Sequence, residues 1–203
     1  MFEYPSIMSG TGANFREFDA YVFAKVDGRN TRWEYTRKKG WHKAGTRDRR
    51  FDATDKEFGP AAALFEEIYA EPLARIARSQ GWDRVTAFAE YWGPQSLGGV
   101  LVPGDAMTLS LFDVSIDDRT LLSPRDFVKI FVGNVPTADY LGRHRWTRGL
   151  VERVYNGDVP GLSFEGAVGK GVRGEMGKAK TRAWLDAVRT RYAPEQATRI
   201  IDS

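Results

Sequence analysis

The chain has 203 residues, 42% of them hydrophobic and 28% charged, with 30 Lys and Arg against 27 Asp and Glu. That composition excludes a disordered chain, and the 21 glycines and 9 prolines follow no collagen-like period. With no cysteine there can be no disulfide, thiolate metal site or cysteine nucleophile, and two histidines are too few for a histidine-rich zinc site.

Residues 19–26 are rich in β-formers and predict a strand. Asp27-Gly28 turns the chain, and the alternation over 30–37 predicts the returning strand. Lys39-Gly40 predicts another turn, with a short strand near Trp41. The best helix falls within 52–80, most securely from Pro60, which suits a first helical position after Gly59. Leu64, Phe65, Ile68, Tyr69, Leu73 and Ile76 recur at helical spacing and mark its core face. Residues 52–58 read as a separate capped turn, Pro72 as a kink or split, and Gly81 as the end. Residues 84–92 and 106–116 predict strands on either side of a Gly/Pro loop. Ser123-Pro124 predicts a capped helix through Phe131. Residues 147–155 predict a helix, 162–168 and 173–180 two strands, and 181–192 an amphipathic helix with a frayed tail after Pro194. Helices and strands mixed without strict alternation predict an α+β fold, as one compact domain over residues 1–203 without repeat or linker.

No segment approaches the run of about 18 apolar residues that a membrane span needs. The opening Met1-Phe2-Glu3-Tyr4-Pro5 lacks the charged and apolar regions of a signal peptide. A cytoplasmic protein, no membrane association and a reducing compartment are the expectations. The charge is patterned: residues 37–50 carry seven Lys or Arg and one Asp, and further basic stretches run over 143–153 and 170–191. Trp33, Trp41, Trp146 and Trp184 are interleaved with them. Solvated loops and helix faces would give such runs. A polyanion with stacking bases is the functional alternative.

Four segments carry candidate chemistry. Lys25-Val26-Asp27-Gly28 puts an amine at a strand end beside a carboxylate and a tight turn, as a plain hairpin with a solvated lysine also would. Phe88-Ala89-Glu90 puts a carboxylate among strand residues. If it shares a face with Phe88 it needs a partner. Phe164-Glu165-Gly166 heads another strand and runs on to Gly169-Lys170. In Lys178-Ala179-Lys180, residues two apart on a strand share a face, so two ammonium groups converge and call for an anion such as phosphate. A basic edge strand that discourages aggregation would look the same.

The order Lys-x-Asp-Gly, Phe-x-Glu, Leu-Phe-Asp-Val (111–114), Glu-Gly-x-x-x-Lys and Lys-x-Lys over Lys25–Lys180 resembles the covalent nucleotidyltransferases, namely ATP-dependent DNA and RNA ligases and mRNA capping enzymes. Asn30 after the first motif, and Lys43-Ala44-Gly45-Thr46-Arg47, resemble the RNA ligase 2 type. The resemblance implies an antiparallel-sheet adenylation core, ATP-grasp-like, with flanking helices. Only 23 residues follow Lys180, so no C-terminal OB domain is expected, and a separate partner chain could replace it.

The implied activity is ATP-dependent ligation of RNA ends, a 5′-phosphate to a 3′-hydroxyl, through lysyl-AMP at Lys25. Lys178 and Lys180 would hold the α-phosphate, with Asp27 beside the nucleophile. Glu90 would bind the ribose, and Phe112 would stack on adenine. Arg47 would contact ribose or the 5′-phosphate of the nucleic acid. Glu165 would engage Mg²⁺ or Mn²⁺, Asn30 would orient metal-bound water, and Lys170 would reach an ATP phosphate. For attack by Lys25, the metal and the lysine pair would have to lower its pKa against Asp27 and Glu165. The alternatives are a minimal DNA ligase core, a GTP-dependent capping-type enzyme, or a non-catalytic nucleic-acid-binding relative. A phage-encoded repair factor fits the same reading.

Overall fold

In a computed structural model, the structure describes Tyr4, Pro5, Ile7 and residues 15–117 and 119–202. Met1, Phe2 and Glu3, part of the opening stretch read for a leader, lie outside the described residues. The alternating sequences assemble into two antiparallel sheets. The first contains β1 (Phe18–Lys25), β8 (Tyr140–Trp146), β9 (Gly166–Gly171) and β10 (Met176–Lys180), in the order β10-β9-β1-β8. The second contains β2 (Arg29–Thr36), β3 (Gly40–Gly45), β4 (Arg50–Phe51), β5 (Arg84–Trp92), β6 (Thr108–Ile116) and β7 (Thr120–Leu121), in the order β4-β3-β2-β5-β6-β7. With the helices this is the α+β, antiparallel-sheet architecture expected.

Each sheet buries one face under helices. Trp33, Tyr35, Ala87, Ala89, Tyr91, Leu109 and Leu111 of the second sheet form a core with a long helical segment. Trp33 lies flat on Phe65, with ring centroids 4.3 Å apart. Burying an aromatic side chain of this kind contributes about 1.5–3 kcal/mol. The segment comprises α1 (Gly59–Phe65), a π-helical turn (Glu66–Ala70) and α2 (Glu71–Ser79). Pro72 does not split it. Proline cannot donate to the preceding turn, and the π turn just upstream absorbs the change of register. Trp41 Nε1 donates to the Ala70 carbonyl at 2.8 Å. Residues 52–58 are turns and not helix.

The first sheet buries Ala20, Val22, Ala167 and Ala179 against Trp146 and α4 (Arg148–Asn156). Gly169 and Gly177 form the seat for Trp146, since a Cβ on either would lie 2.3 or 2.6 Å from its indole. α3 (Pro124–Phe131) starts as expected, with the Ser123 hydroxyl accepting from Asp126 N at 3.1 Å.

Three expectations change near the C-terminal end. β9 begins at Gly166, four residues later than predicted, because 162–165 are turn and loop. β8 was not anticipated, because Gly142, Arg143, His144 and Arg145 interrupt its apolar Tyr140, Leu141 and Trp146. The tail after Pro194 is a helix, α6 (Pro194–Asp202), not a frayed end. It pairs with α5 (Arg182–Arg191) around Trp184, Val188 and Ala197. Among the described residues no helix is long and apolar enough to cross a membrane.

Candidate active site

Strand register decides which side chains meet. Lys25 stands opposite Gly166 of β9, and Gly166 opposite Lys180 of β10. The next row on the same face is Phe23, Val168 and Lys178, and the one beyond is Tyr21, Lys170 and Met176. The period-2 rule thus places Lys25, Lys178 and Lys180 on one face, opposite the face that packs on α4. Gly166 leaves the space between Lys25 and Lys180 open. A Cβ there would lie 2.0 Å from the Ala179 carbonyl oxygen, and its φ is +149°. Ser163 Oγ donates to the Lys25 carbonyl at 2.5 Å and accepts from Gly166 N at 3.4 Å, fixing the end of β1 to the start of β9.

The second sheet turns Asn30, Glu90 and Ser110 into a row of its own. Between the sheets lies a cavity of about 630 Å³. Lys25, Asp27, Asn30, Arg47, Glu90, Phe112, Glu165, Lys170 and Lys178 all line it. Lys180 joins through Glu165: Glu165 Oε1 is 2.7 Å from Lys25 Nζ and 3.8 Å from Lys180 Nζ. Lys180 also donates to the carbonyls of Ile200 and Ile201, at 3.2 and 2.8 Å, and lies over the Trp184 ring at 4.5 Å. The two converging lysines therefore do have an oxygen-rich counterpart, supplied in part by the last turn of α6.

The carboxylates control the charge of Lys25. Burial alone would lower its pKa, but Glu165, then Glu90 and Asp27, raise it above the ordinary lysine value. For Lys25 to lose its proton, the metal and the lysine pair must therefore outweigh these carboxylates. Burial raises Glu165, opposed by Lys25, and raises Glu90 to about 8, opposed by Lys25. Burial lowers Lys180 to about 8, opposed by Glu165. Lys178 is lowered by burial and then by Lys25. The site is thus a coupled set of buried acids and bases, a pattern common at reactive centres.

Two expected ligand contacts take a different form. Asp27 reaches the cavity wall, but its carboxylate accepts from Gly98 N (2.7 Å), Gly99 N (2.8 Å) and Trp184 Nε1 (2.5 Å). It clamps the 97–99 loop and α5 to the turn after Lys25. Gly28 follows because a Cβ there would lie 2.3 Å from the Tyr91 carbonyl oxygen.

Lys170 does not extend toward Lys178 and Lys180. Its Nζ bonds Asp113 Oδ2 at 2.8 Å and the Phe112 carbonyl at 2.5 Å. The rings of Tyr4, Phe23, Phe112 and Phe127 surround it at 5.2–5.9 Å. The Tyr4 hydroxyl donates to Asp113 Oδ2 at 2.9 Å, and its ring meets Phe112 edge-on at 5.0 Å. Lys170 thus fixes the backbone of Phe112, beside the bulge that β6 makes opposite Phe88 and Ala89.

The structure adds Ser163, Trp184, Tyr4 and Asp113 to the site. Asp113 lay inside the quoted Leu-Phe-Asp-Val motif. Ser163 and Tyr4 carry no local signal, since their partners are 138 and 109 residues away. Among the described residues no three His, Cys, Asp or Glu side chains gather as a metal cage. A hard divalent cation carried on nucleotide phosphates needs only one or two protein carboxylates. Glu165 and the amide of Asn30, both on the cavity wall, suit that arrangement.

No protein-family model and no curated protein matches the sequence. Solved structures do match in fold. An archaeal ATP-dependent RNA ligase superposes with a TM-score of 0.66 at 16% identity, covering 98% of this chain and 56% of that one. Naegleria gruberi RNA ligase with PPi gives a TM-score of 0.61 at 16% identity, covering 85% of this chain and 52% of that one. A variant of the Naegleria gruberi ligase with ATP and Mn gives 0.60 at 16% identity, covering 83% and 51%. The chain spans about half the length of the solved structures it matches. It shares the fold of the matched part of these RNA ligases.

Proposed function

We propose that the chain is the adenylation domain of an ATP-dependent RNA ligase. The observation that carries this reading is the cavity where Lys25, Glu165 and Lys178 face Glu90 and Phe112 of the other sheet, with Lys180 tied to it through Glu165. Such a site accepts a nucleoside triphosphate with its base on Phe112, its ribose hydroxyls on Glu90, and its α-phosphate between Lys178 and Lys180.

Lys25 must lose a proton before it can attack. Glu165, 2.7 Å away, is the nearest acceptor, and its burial-raised pKa suits it to take that proton. The amine then forms a P–N bond at the α-phosphorus while the bond to the β-phosphate oxygen breaks. Pyrophosphate leaves, and AMP remains on Lys25. Lys178 and Lys180 neutralise the charge that grows on the non-bridging oxygens. A 5′-phosphate end then displaces Lys25 and takes the AMP, and a 3′-hydroxyl attacks that end and expels AMP. Arg47 contacts the ribose or the 5′-phosphate. Mg²⁺ or Mn²⁺ bound at Glu165, with Asn30 orienting its water, would supply charge neutralisation on the phosphates.

The preference for RNA rests on Asn30 and on the fold neighbours. The test is incubation with radiolabelled ATP or GTP and Mg²⁺ or Mn²⁺, followed by denaturing electrophoresis and then by nicked duplexes with RNA or DNA at the break. A labelled band with ATP that Lys25→Ala abolishes is expected. No band with either nucleotide removes the enzyme reading. A band that survives in Lys25→Ala misplaces the nucleophile.

A further inference from the structure

A second cavity, of about 500 Å³, runs along the β10 edge of the first sheet. Its floor is β10, the edge strand, at Lys178, Ala179 and Lys180. One wall is a single face of α4, Arg148, Val151, Glu152 and Tyr155, spaced by three, one and three residues. The other wall is Leu185 and Arg189 of α5, one turn apart, and the end of α6 closes it at Ile201 and Asp202. Lys178 and Asp202 line both cavities, so the two adjoin at the end of α6.

Three features of this groove point to one kind of ligand. Four cations, Arg148, Lys178, Lys180 and Arg189, line it beside two carboxylates, Glu152 and Asp202, with Lys180 also paired to Glu165 and Arg189 to Asp186. Tyr155 is a large aromatic left 41% exposed on the groove wall. Arg148 holds its guanidinium over the Phe15 ring at 5.1 Å, which orients it without neutralising it. Fixed cations beside an exposed aromatic are the combination that binds single-stranded nucleic acid, with phosphates on the cations and a base on the ring. An acidic peptide would use the cations and leave Tyr155 without a purpose.

We infer that the groove between α4, the β10 edge and α5 binds a single-stranded polynucleotide segment, with a base on Tyr155 and backbone phosphates at Arg148 and Arg189. The segment would lead directly to Lys178, the lysine shared with the first cavity. This inference rests on the ligase reading for its purpose and not for its measurement.

Arg148, Tyr155 and Arg189 line only the second cavity, so their variants separate the two. Binding of a fluorescently labelled, 5′-phosphorylated single-stranded RNA is measured by anisotropy across a salt series. Lysyl-AMP formation from ATP is measured in parallel. Tyr155→Ala is expected to weaken binding by about tenfold through lost stacking. Arg148→Ser with Arg189→Ser is expected to weaken it and lower the salt slope by about 1–2. Lysyl-AMP formation should stay at the wild-type level in every variant.

Unchanged RNA affinity in the triple variant overturns the inference, as does competition by polyglutamate equal to that by polyuridylate at matched charge. If the wild-type chain forms no lysyl-AMP but RNA binding responds to these variants, the enzyme reading fails and the groove stands.

Discussion

Replacing Lys170 by methionine isolates a buried pair on which the Phe112 side of the cavity depends. The Lys170 and Asp113 side chains are 7% and 3% exposed, and their charged atoms are 2.8 Å apart. Methionine retains most of the aliphatic stem and its contacts with the surrounding rings. The loss is therefore chiefly the ammonium, which leaves a buried carboxylate with the Tyr4 hydroxyl at 2.9 Å and Val114 N at 3.0 Å as its remaining donors. Breaking a buried pair from one side costs about 3–5 kcal/mol. The two surviving donors place Lys170→Met at the lower end of that range. The Phe112 carbonyl also loses its 2.5 Å partner, so ATP-dependent labelling of Lys25 should weaken as well. Urea unfolding of the wild type, Lys170→Met, Asp113→Asn and the double variant gives a double-mutant cycle. The double variant should be less destabilised than the sum of the singles, with a coupling above about 1.5 kcal/mol. A cost for Lys170→Met below about 1 kcal/mol, or strict additivity, refutes the pairing as the source of stability here.

Other perturbations follow from the same geometry. Glu90 holds its proton in the folded state up to about pH 8, above the ordinary 4.5. Its contribution to stability is therefore complete below about pH 4.5 and is lost as pH rises through 8. That loss is at most about 1.4 kcal/mol per unit and is tempered by water in the cavity. Glu90→Gln should flatten the stability of the chain between those pH values, and an unchanged pH profile in thermal melts would contradict this. Gly166→Ala combines a positive φ with a Cβ 2.0 Å from the Ala179 carbonyl oxygen. Denaturant unfolding should register a loss of more than about 2 kcal/mol, accompanied by reduced Lys25 labelling as β10 shifts. Trp184→Phe keeps the packing under α5 but removes the indole donor to Asp27, and should cost about 1.5–3 kcal/mol by the same measurement.

The parts of the fold legible in the sequence are those that local chemistry fixes. β1 follows from its β-forming residues, β2 from alternation, and β5 and β6 from strand-like runs on either side of a Gly/Pro loop. α3 and α4 follow from Ser123 and Thr147, whose hydroxyls accept from N–H groups in the first turn. β8 was hidden because its Arg, Gly and His are held by β1 through backbone pairing, which leaves no hydrophobic period to read. α6 was hidden because its stability comes from tertiary packing, Ala197 against Trp184 and Val188 of α5 and Ile200 against the 97–99 loop. At the site, the motifs identified which side chains meet but not their partners. Nothing local to Lys170 indicates Asp113, and nothing near Asp27 indicates Trp184, 157 residues on.

Register explains why separate short motifs could form one reactive pocket. Lys25, Gly166 and Lys180 occupy a single cross-strand row, and Lys178 occupies the next row on that face. Because side chains alternate, a slip of β10 by one residue would carry both lysines to the opposite face and turn Ala179 into the cavity. The slip is opposed by features outside the site. The Trp146 indole fills the space left by Gly169 and Gly177, and the Ala179 carbonyl sits where only a glycine at 166 allows it. The glycine-rich composition of β9 and β10, poor by ordinary strand propensity, is thus the condition for close strand approach. That close approach keeps two ammonium groups beside a buried carboxylate and a third amine.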